Sequence, residues 1–145
     1  MAFSTRFATA THLLAVLALS RPAPVTSETL AASAGTNPVV ARRLIGRLVR
    51  AGLVRTQGGK GGGATLARPP KKITLRAVFE AVEHPLSLAP ENPGRREDGV
   101  GAALPGALAR PSERAARAFA EALDQTTLKG VVKALKNARD RRKAA

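Results

Sequence analysis

The chain has 145 residues, enough for one domain of ordinary size with an appended element but too few for two full domains. It carries 24 Lys and Arg against 10 Asp and Glu, a formal net charge of +14, which points to a polyanionic partner: nucleic acid first, an anionic membrane surface second. It contains no cysteine, which excludes disulfides, thiolate metal sites and thiol redox sensing.

The positive charge is concentrated in two parts of the chain. Residues 1–60 carry eight Lys and Arg against one acid, Glu28. Residues 111–145 carry nine Lys and Arg against four acids. The residues between them are nearly balanced, so two basic regions flank a neutral one.

The start of the chain predicts a packed first helix. Ser4 is a candidate N-cap, and the helix should continue to about Ser20, where the sequence RPAP stops it. Several apolar side chains fall on one face of this helix: Phe7, Ala10, Leu14 and Leu17. The uninterrupted apolar run, residues 13–19, is short for a secretion signal, and no transmembrane pattern follows. We therefore expect a cytoplasmic protein.

Two further helices joined by a short turn are predicted next. The first begins near Thr26 and ends at Gly35. The second begins with Asn37, a favoured N-cap, and Pro38, at the first helical position that proline prefers, and it ends at Gly52. A short helix, a turn containing glycine and a second helix form the helix-turn-helix pattern.

A β-hairpin with a glycine-rich tip is predicted after this pair. The sequences LVRTQ and ATLAR are short stretches of strand type, and Pro69 and Pro70 end the hairpin. The tip consists of Gly58, Gly59, Lys60, Gly61, Gly62 and Gly63. The order of helix-turn-helix and hairpin is that of a winged helix, which favours a DNA-binding wing over a flexible tip without function.

The same glycines do not predict a nucleotide site. A P-loop needs Ser or Thr after its lysine and a helix that begins there, whereas Gly61 follows Lys60. The dinucleotide pattern G-x-G-x-x-A is matched by Gly59, Gly61 and Ala64, but Pro69 leaves no room for the required helix.

The second helix of the pair has an outward face that is basic. Its inward face is apolar: Ala41, Leu44, Ile45 and Leu48. A helix-turn-helix touches base edges with the start of this helix, which predicts base contacts from Asn37, Val39, Val40, Arg42 and Arg43. Phosphate contacts are predicted for Arg47, Arg50, Arg55 and Lys60. The alternative is a merely solvated basic face.

The remaining chain predicts three more elements. Thr74 is expected to cap a helix over residues 75–83. Residues 86–110 are rich in proline and glycine, which predicts a long flexible loop. Ser112 is expected to cap the next helix and Thr126 or Thr127 the last, whose end, KNARDRRKAA, is predicted to be a frayed basic tail.

Catalysis and metal binding are not indicated. His12 and His84 are the only histidines and lie far apart in the sequence. Glu80 and Glu83 share a predicted helix but have no partner suited to acid–base work. We expect neither an enzyme nor a bound metal or cofactor.

Several sequence features together resemble one known family. They are the helix entry at Asn37–Pro38, AGLV at 51–54, the triple glycine at 61–63, LARPP at 66–70, and ITL followed by AVE. This pattern resembles the Rrf family of bacterial winged-helix regulators, the group of IscR, NsrR and CymR. The resemblance is close over residues 1–85 and loose over the C-terminal helix.

The resemblance implies a homodimer that binds double-stranded DNA as a repressor or activator. It implies a winged helix-turn-helix domain over residues 1–85, the loop 86–110 and a dimerisation region over 111–145. The long C-terminal helix, from about Ser112, would pair with that of the partner chain. The expected contacts are Phe119, Leu123, Leu128, Val131, Val132 and Leu135. Recognition helix and wing would enter adjacent grooves on each half of a palindrome.

Two departures from the family pattern matter. The best-known members hold an iron–sulfur cluster or sense redox state through cysteines before the dimerisation helix, and this chain has no cysteine. Many members carry Arg where this chain has Gly58, and an aromatic residue where it has Ala64. Lys60 is therefore the cation left at the tip of the wing.

Two other functions stay open at this point. A nucleoid-type protein would bind DNA without sequence preference, and an adaptor would keep the fold without binding DNA. A small-molecule effector, if there is one, would fit the apolar space near Phe79, Leu86 and Phe119. A regulator that has no ligand and acts through its concentration alone is the alternative to an effector.

Overall fold

A computed structural model describes residues 4–88, 97 and 99–145. The described part is mainly α-helical with one small antiparallel hairpin, which confirms the predicted fold class. Its elements are α1 (Arg6–Ser20), α2 (Ser27–Ala34), α3 (Pro38–Arg50), β1 (Val54–Gln57), β2 (Gly63–Leu66), a 3-10 turn (Pro70–Lys72), α4 (Leu75–Val82), α5 (Gly99–Asp124) and α6 (Leu128–Ala144).

Polar side chains cap α2, α3, α4 and α6 where the sequence predicts them, whereas the predicted cap Ser4 is wrong: Thr5 precedes α1 and makes no side-chain cap bond. The Asn37 side chain accepts a hydrogen bond from the backbone N–H of Val40 at 2.9 Å, and Pro38 is the first residue of α3. The hydroxyl groups of Thr26, Thr74 and Thr127 cap α2, α4 and α6 in the same way. Each such cap stabilises a helix by about 1 kcal/mol. The caps therefore fix where these helices begin.

An aliphatic core holds α1 to α4 and the hairpin together. Leu13, Leu14 and Leu17 of α1 pack in it with Leu30 of α2 and Leu48 of α3, and all five are at most 1% exposed. Among the described residues, no polar or charged side chain is buried. Full burial of one such side chain is worth roughly 1.5–3 kcal/mol. This core is the rigid base on which the exposed face of α3 is presented.

The start of α6 is joined to the start of α4 by backbone hydrogen bonds. The N–H of Leu75 donates to the carbonyl of Thr126 at 2.9 Å, and the N–H of Leu128 donates to the carbonyl of Ile73 at 2.8 Å. The Leu128 side chain is fully buried in the core of its own chain. The expectation that Leu128 contacts a partner chain is therefore wrong.

The predicted loop over residues 86–110 is wrong for its second half. Residues 99–110 belong to α5, while residues 89–96 and 98 lie outside the described residues. Pro105 and Pro111 lie inside this helix. No residue of α5 is buried, so the carbonyl groups that the prolines leave unpaired can face water. The alanines of this stretch have the highest helix propensity, and they favour a helix here.

Two predicted helix ends also differ from the structure: the start of the helix at Ser112 and the end of the last helix. Ser112 lies within α5 and is not its cap; its hydroxyl accepts a hydrogen bond from the N–H of Leu88 at 3.0 Å. The C-terminal residues are helical as far as Ala144, so the predicted frayed tail is also wrong. Lys, Arg and Ala have high helix propensity, and cations in the last turn interact favourably with the helix dipole.

The prolines of α5 provide a test of its length. Replacing Pro105 and Pro111 by Ala restores two backbone donors inside a helix and should stabilise α5 by up to about 3 kcal/mol for each substitution. We expect more helix by far-ultraviolet circular dichroism. Pro85→Ala, outside the helices, is the control and should leave the helix content unchanged. A loss of helix or of stability in the α5 variants would show that these residues form a loop.

Candidate nucleic-acid interface

Helix α3 presents a polar face opposite the core. Ala41, Leu44, Ile45 and Leu48 are buried, as their spacing predicts. Val39, at the start of the helix, is 60% exposed. Val40 is partly buried and packs against the core, so less of its side chain is exposed for the predicted contact with a base. The exposed start of α3 thus carries one apolar side chain among cations.

Arg42 is paired with an acid of the preceding helix. Its guanidinium forms a salt bridge with Glu28 in the first turn of α2, and both side chains are more than half exposed. The backbone hydrogen bond of Glu28, followed by Arg42, holds the pKa of the Glu28 carboxyl below its ordinary value. The pair fixes the direction of the Arg42 side chain and joins the two helices of the helix-turn-helix.

Arg47 is also engaged within the chain. Its guanidinium donates a hydrogen bond to the backbone carbonyl of Val82 at 2.7 Å, and the contact is partly buried. Val82 is the last residue of α4, where carbonyl groups lack a partner within the helix. Arg47 therefore caps the C-terminal end of α4. The sequence predicted a phosphate contact for this residue and did not predict the capping contact.

Arg43 and Arg50 remain available to a ligand. Both side chains are exposed, and neither has an ion-pair partner in the described part of the chain. The Asn37 side-chain oxygen caps α3, which leaves only its amide N–H groups for a base. Arg55 on β1 is exposed, with a long contact of 3.4 Å to the carbonyl of Ala67. Two free arginines thus lie on the outward face of α3 and a third on the hairpin.

The hairpin is held close to the helix-turn-helix. Val54 pairs with Leu66 and Gln57 with Gly63, and the edge of β2 also pairs with Val25, just before α2. A Cβ atom on Gly63 would lie 2.6 Å from the carbonyl oxygen of Val25. Glycine is therefore required here for the strand to approach Val25.

The glycines at the tip differ in what they tolerate. A Cβ atom on Gly62 would lie 2.2 Å from the carbonyl oxygen of Gln57, so no side chain fits. A Cβ atom on Gly58 would meet nothing within 4 Å, and Gly58 does not have a positive φ. Lys60 is exposed at the tip. Part of the glycine run is therefore required by packing, whereas position 58 is open to larger residues.

Helix α3 and the hairpin together form one groove of about 460 Å³. Arg42, Gly46 and Arg50 line it from the helix, and Thr56 and Gln57 line it from the hairpin. The groove therefore brings two of the predicted cations together with polar residues of the wing. Other predicted residues lie outside its lining: Asn37, Val39, Arg43, Arg55 and Lys60.

The sequence prediction did not single out three exposed cations that follow the hairpin or two polar residues that line the groove. Arg68 lies at the end of the hairpin and Lys71 and Lys72 in the 3-10 turn, and all three are exposed. Their pattern, ARPPKK, was visible as a run of positive charge. Thr56 and Gln57 carried no such signal, because a polar residue on an outward strand face is ordinary.

The predicted dimerisation residues do not form one surface. Phe119 and Leu123 face a cavity beside α4, whereas Val131 and Leu135 lie beside α1. Val132 packs against the core. Exposed apolar residues do occur elsewhere on α5, where Val100 and Leu104 are 69% and 41% exposed.

Two joined helices with a basic outer face, followed by a hairpin that lies beside it, form a winged helix-turn-helix, a class of DNA-binding domain. The family model Rrf2, described as "Iron-dependent Transcriptional regulator", matches residues 3–134. The chain belongs to this family. It is accordingly a DNA-binding transcriptional regulator and not an enzyme.

Individual relatives agree with this assignment. The chain is 34% identical over 131 residues to the candidate HTH-type transcriptional regulator YwnA of Bacillus subtilis, across 89% of this chain and 96% of YwnA. It is similar to a crystal structure of a candidate DNA-binding protein, with a TM-score of 0.69, 33% identity and coverage of 87% and 97%. It is also similar to CymR, the global cysteine regulator of Bacillus subtilis, with a TM-score of 0.67, 25% identity and coverage of 92% and 97%.

The iron in the family description does not fit the residues of this chain. Iron–sulfur clusters are held mainly by cysteine thiolates, and the sequence contains no cysteine. Within the described ranges, no three side chains of His, Asp or Glu lie close enough together to hold a metal ion.

Among the same residues, no helix is long and apolar enough to span a membrane.

The contact between the wing and Val25 can be tested by adding a single methyl group. Gly63→Ala should lower the free energy of unfolding by about 1–3 kcal/mol, because the new Cβ collides with the Val25 carbonyl and the backbone conformation is strained. Gly58→Ala is the matched control and should change stability by less than about 0.5 kcal/mol. Urea unfolding measures both variants, and equal stabilities would contradict the proposed packing of the hairpin.

Proposed function

We propose that the chain represses transcription as a homodimer bound to a palindromic operator. In each half-site, the start of α3 lies in the major groove and the wing lies along the adjacent backbone. Repression requires only that the dimer occupy the DNA. Its partner lies in the bacterial nucleoid, so we place the protein there, in the cytoplasm.

The observation that carries this proposal is the distribution of partners among the arginines of α3. Arg42 and Arg47 are held by contacts within the chain, and Arg43 and Arg50 are exposed and unpaired in the described region. No acid is present on α3 itself. An unpaired arginine near the start of a recognition helix can bind guanine through two hydrogen bonds. Arg43 has that position, whereas Arg50, Arg55 and Lys60 are placed to contact phosphates.

The exposed Val39 adds a second kind of base contact. A side chain that is 60% exposed at the start of α3 is placed to meet the groove floor first. The C5 methyl group of thymine is the apolar feature that the major groove offers. We propose that Val39 contacts such a methyl group, next to the base bound by Arg43.

Helix α5 supports the homodimer. It has 26 residues and none of them is buried, although Val100 and Leu104 are apolar and exposed. Helices with an apolar face are stable when that face is covered. A second copy of α5 is the cover that a two-fold symmetric regulator supplies.

Selection of genomic fragments tests the proposed function. The purified chain should enrich a palindrome whose half-sites lie about one helical turn apart. Arg43→Ala should weaken binding to the enriched site by about 1–3 kcal/mol and relax the preference at one position of each half-site. Lys60→Ala, the control, should weaken binding to all sequences alike and lower the salt slope by about one.

Uniform recovery of all fragments, with affinity lost as salt increases, would contradict base reading. That result would identify a protein that coats DNA without sequence preference. Recovery of no DNA would identify an adaptor that retains only the fold.

The open position at Gly58 allows a gain of function. Gly58→Arg introduces no backbone collision and places a second cation at the wing tip beside Lys60. We expect several-fold tighter binding at low salt and a steeper dependence on salt. Gly58→Gln is the uncharged control of similar reach and should bind like the parent chain. Unchanged binding by the Arg variant would show that the tip does not approach DNA.

A further inference from the structure

A cavity of about 320 Å³ lies between α4, α5 and the segment that follows α4. Phe79 on α4, Leu86 after it, and Phe119 and Leu123 on α5 form its apolar walls. The volume falls at the small end of the range of roughly 300–1,000 Å³ for small-molecule sites. The cavity therefore lies where α4, a helix of the DNA-binding half, meets the long helix α5.

Aromatic rings line one side of this cavity. Phe79 meets Phe119 edge to face, with ring centroids 4.9 Å apart, and meets Phe7 of α1 at 5.9 Å. These are three of the four phenylalanines in the chain. Phe119 and Leu86 are each 37% exposed, so an apolar surface remains uncovered at the opening. A ligand with a flat apolar body would bury that surface and contact the rings.

The charged residues that line the cavity are mainly acidic, although the protein is strongly basic. Glu80 and Glu83 line it with a single cation, Arg76. Arg76 is already paired, with Glu80 at 2.8 Å and with Asp124 at 3.7 Å. Glu80, more than Asp124, raises the pKa of Arg76.

Glu83 is the more enclosed of the two acids. Its carboxylate forms a salt bridge with Arg6 at 3.0 Å and accepts a hydrogen bond from the N–H of Phe7 at 3.2 Å. Arg6 and Asp124 lie outside the cavity lining, so the lining itself carries two acids, Glu80 and Glu83, against one cation in a chain of net charge +14. The local charge and the adjacent rings both favour a cation.

Helix α4 connects this cavity to the recognition helix. Phe79 of α4 and Glu83, directly after the helix, line the cavity, and Val82 between them accepts the hydrogen bond from Arg47 of α3. A displacement of α4 by a ligand therefore changes the anchor of Arg47. Helix α4, which has eight residues, therefore lines the cavity on one side and contacts the recognition helix on the other.

From this geometry we propose that the cavity is the effector site of the regulator and takes a small organic cation with a flat apolar body. The ligand alters operator affinity through α4 and the contact between Arg47 and Val82. The coupling rests on the proposed DNA-binding function, whereas the binding site does not.

Calorimetry on the full chain without DNA tests the site. Three probes share one apolar body and differ in charge: phenylpropylammonium, phenylpropanol and phenylpropionate. The ammonium compound should bind most tightly, the alcohol more weakly, and the carboxylate should not bind measurably. Glu80→Gln should weaken ammonium binding several-fold and leave binding of the alcohol unchanged. Failure of the ammonium compound to bind, or equal binding of the carboxylate, would overturn the proposal.

A pair of substitutions on α5 locates the binding. Ala120 lines the cavity, and Ala118, two positions away, lies on another face of the helix. Ala120→Phe should fill the space and abolish ammonium binding, whereas Ala118→Phe should bind like the parent chain. Ala116→Leu fills the same cavity with a smaller change if Ala120→Phe does not fold. Retained binding in a folded, filled variant would overturn the assignment of the site.

Operator binding with and without the saturating ammonium compound tests the coupling. We expect the affinity to change by about five-fold or more, with an equal change in ligand affinity when DNA is present. Arg47→Gln should lose this change while the free chain still binds the ligand. Ligand binding without any effect on the operator would overturn the coupling. A chain that selects no DNA would refute the proposed function, and calorimetry would still decide the cavity.

Discussion

The arrangement of the DNA-binding surface depends on one pair of backbone hydrogen bonds between the hairpin and the chain before α2. The N–H of Val25 donates to the carbonyl of Ala64 at 3.0 Å, and the N–H of Ala64 donates to the carbonyl of Val25 at 2.8 Å. The close approach is possible because Gly63 has no side chain. A further bond, from the N–H of Ala67 to the carbonyl of Leu53, holds the other end of the hairpin. The groove between α3 and the wing is therefore formed before any ligand binds.

Two arginines of α3 have partners within the chain, and two are exposed without an ion-pair partner among the described residues. Arg42 joins the helix to Glu28 of α2, and Arg47 joins it to the end of α4. These contacts orient α3, so that Arg43 and Arg50 extend from a fixed helix. Preorganisation of this kind lowers the entropy lost on binding. The same contacts connect the DNA face to neighbouring helices, and through α4 they reach the cavity beside α5.

The sequence was sufficient for features that local chemistry determines. Asn37 and Pro38 predicted the start of α3 correctly, since capping depends on adjacent residues. The start of α5 was not predictable, because Pro105 normally marks a loop and an exposed helix tolerates it. The partners of Arg42 and Arg47 lie 14 and 35 residues away, and no local pattern reveals such pairs. Leu128 likewise had a helical spacing that suited an interface, and only tertiary packing placed it inside.

Hydroxyl-radical footprinting on a selected genomic fragment is the most direct test of the account. It shows whether α3 and the wing contact DNA as one surface, and whether each chain of a dimer contributes one such surface. The account predicts two symmetry-related half-sites about one helical turn apart. In each, protection should cover the backbone on both sides of the major groove and extend over one adjacent minor groove. Protection of a single half-site would contradict the dimer. Protection without boundaries would contradict sequence reading, and its absence from the adjacent minor groove would contradict the role given to the wing.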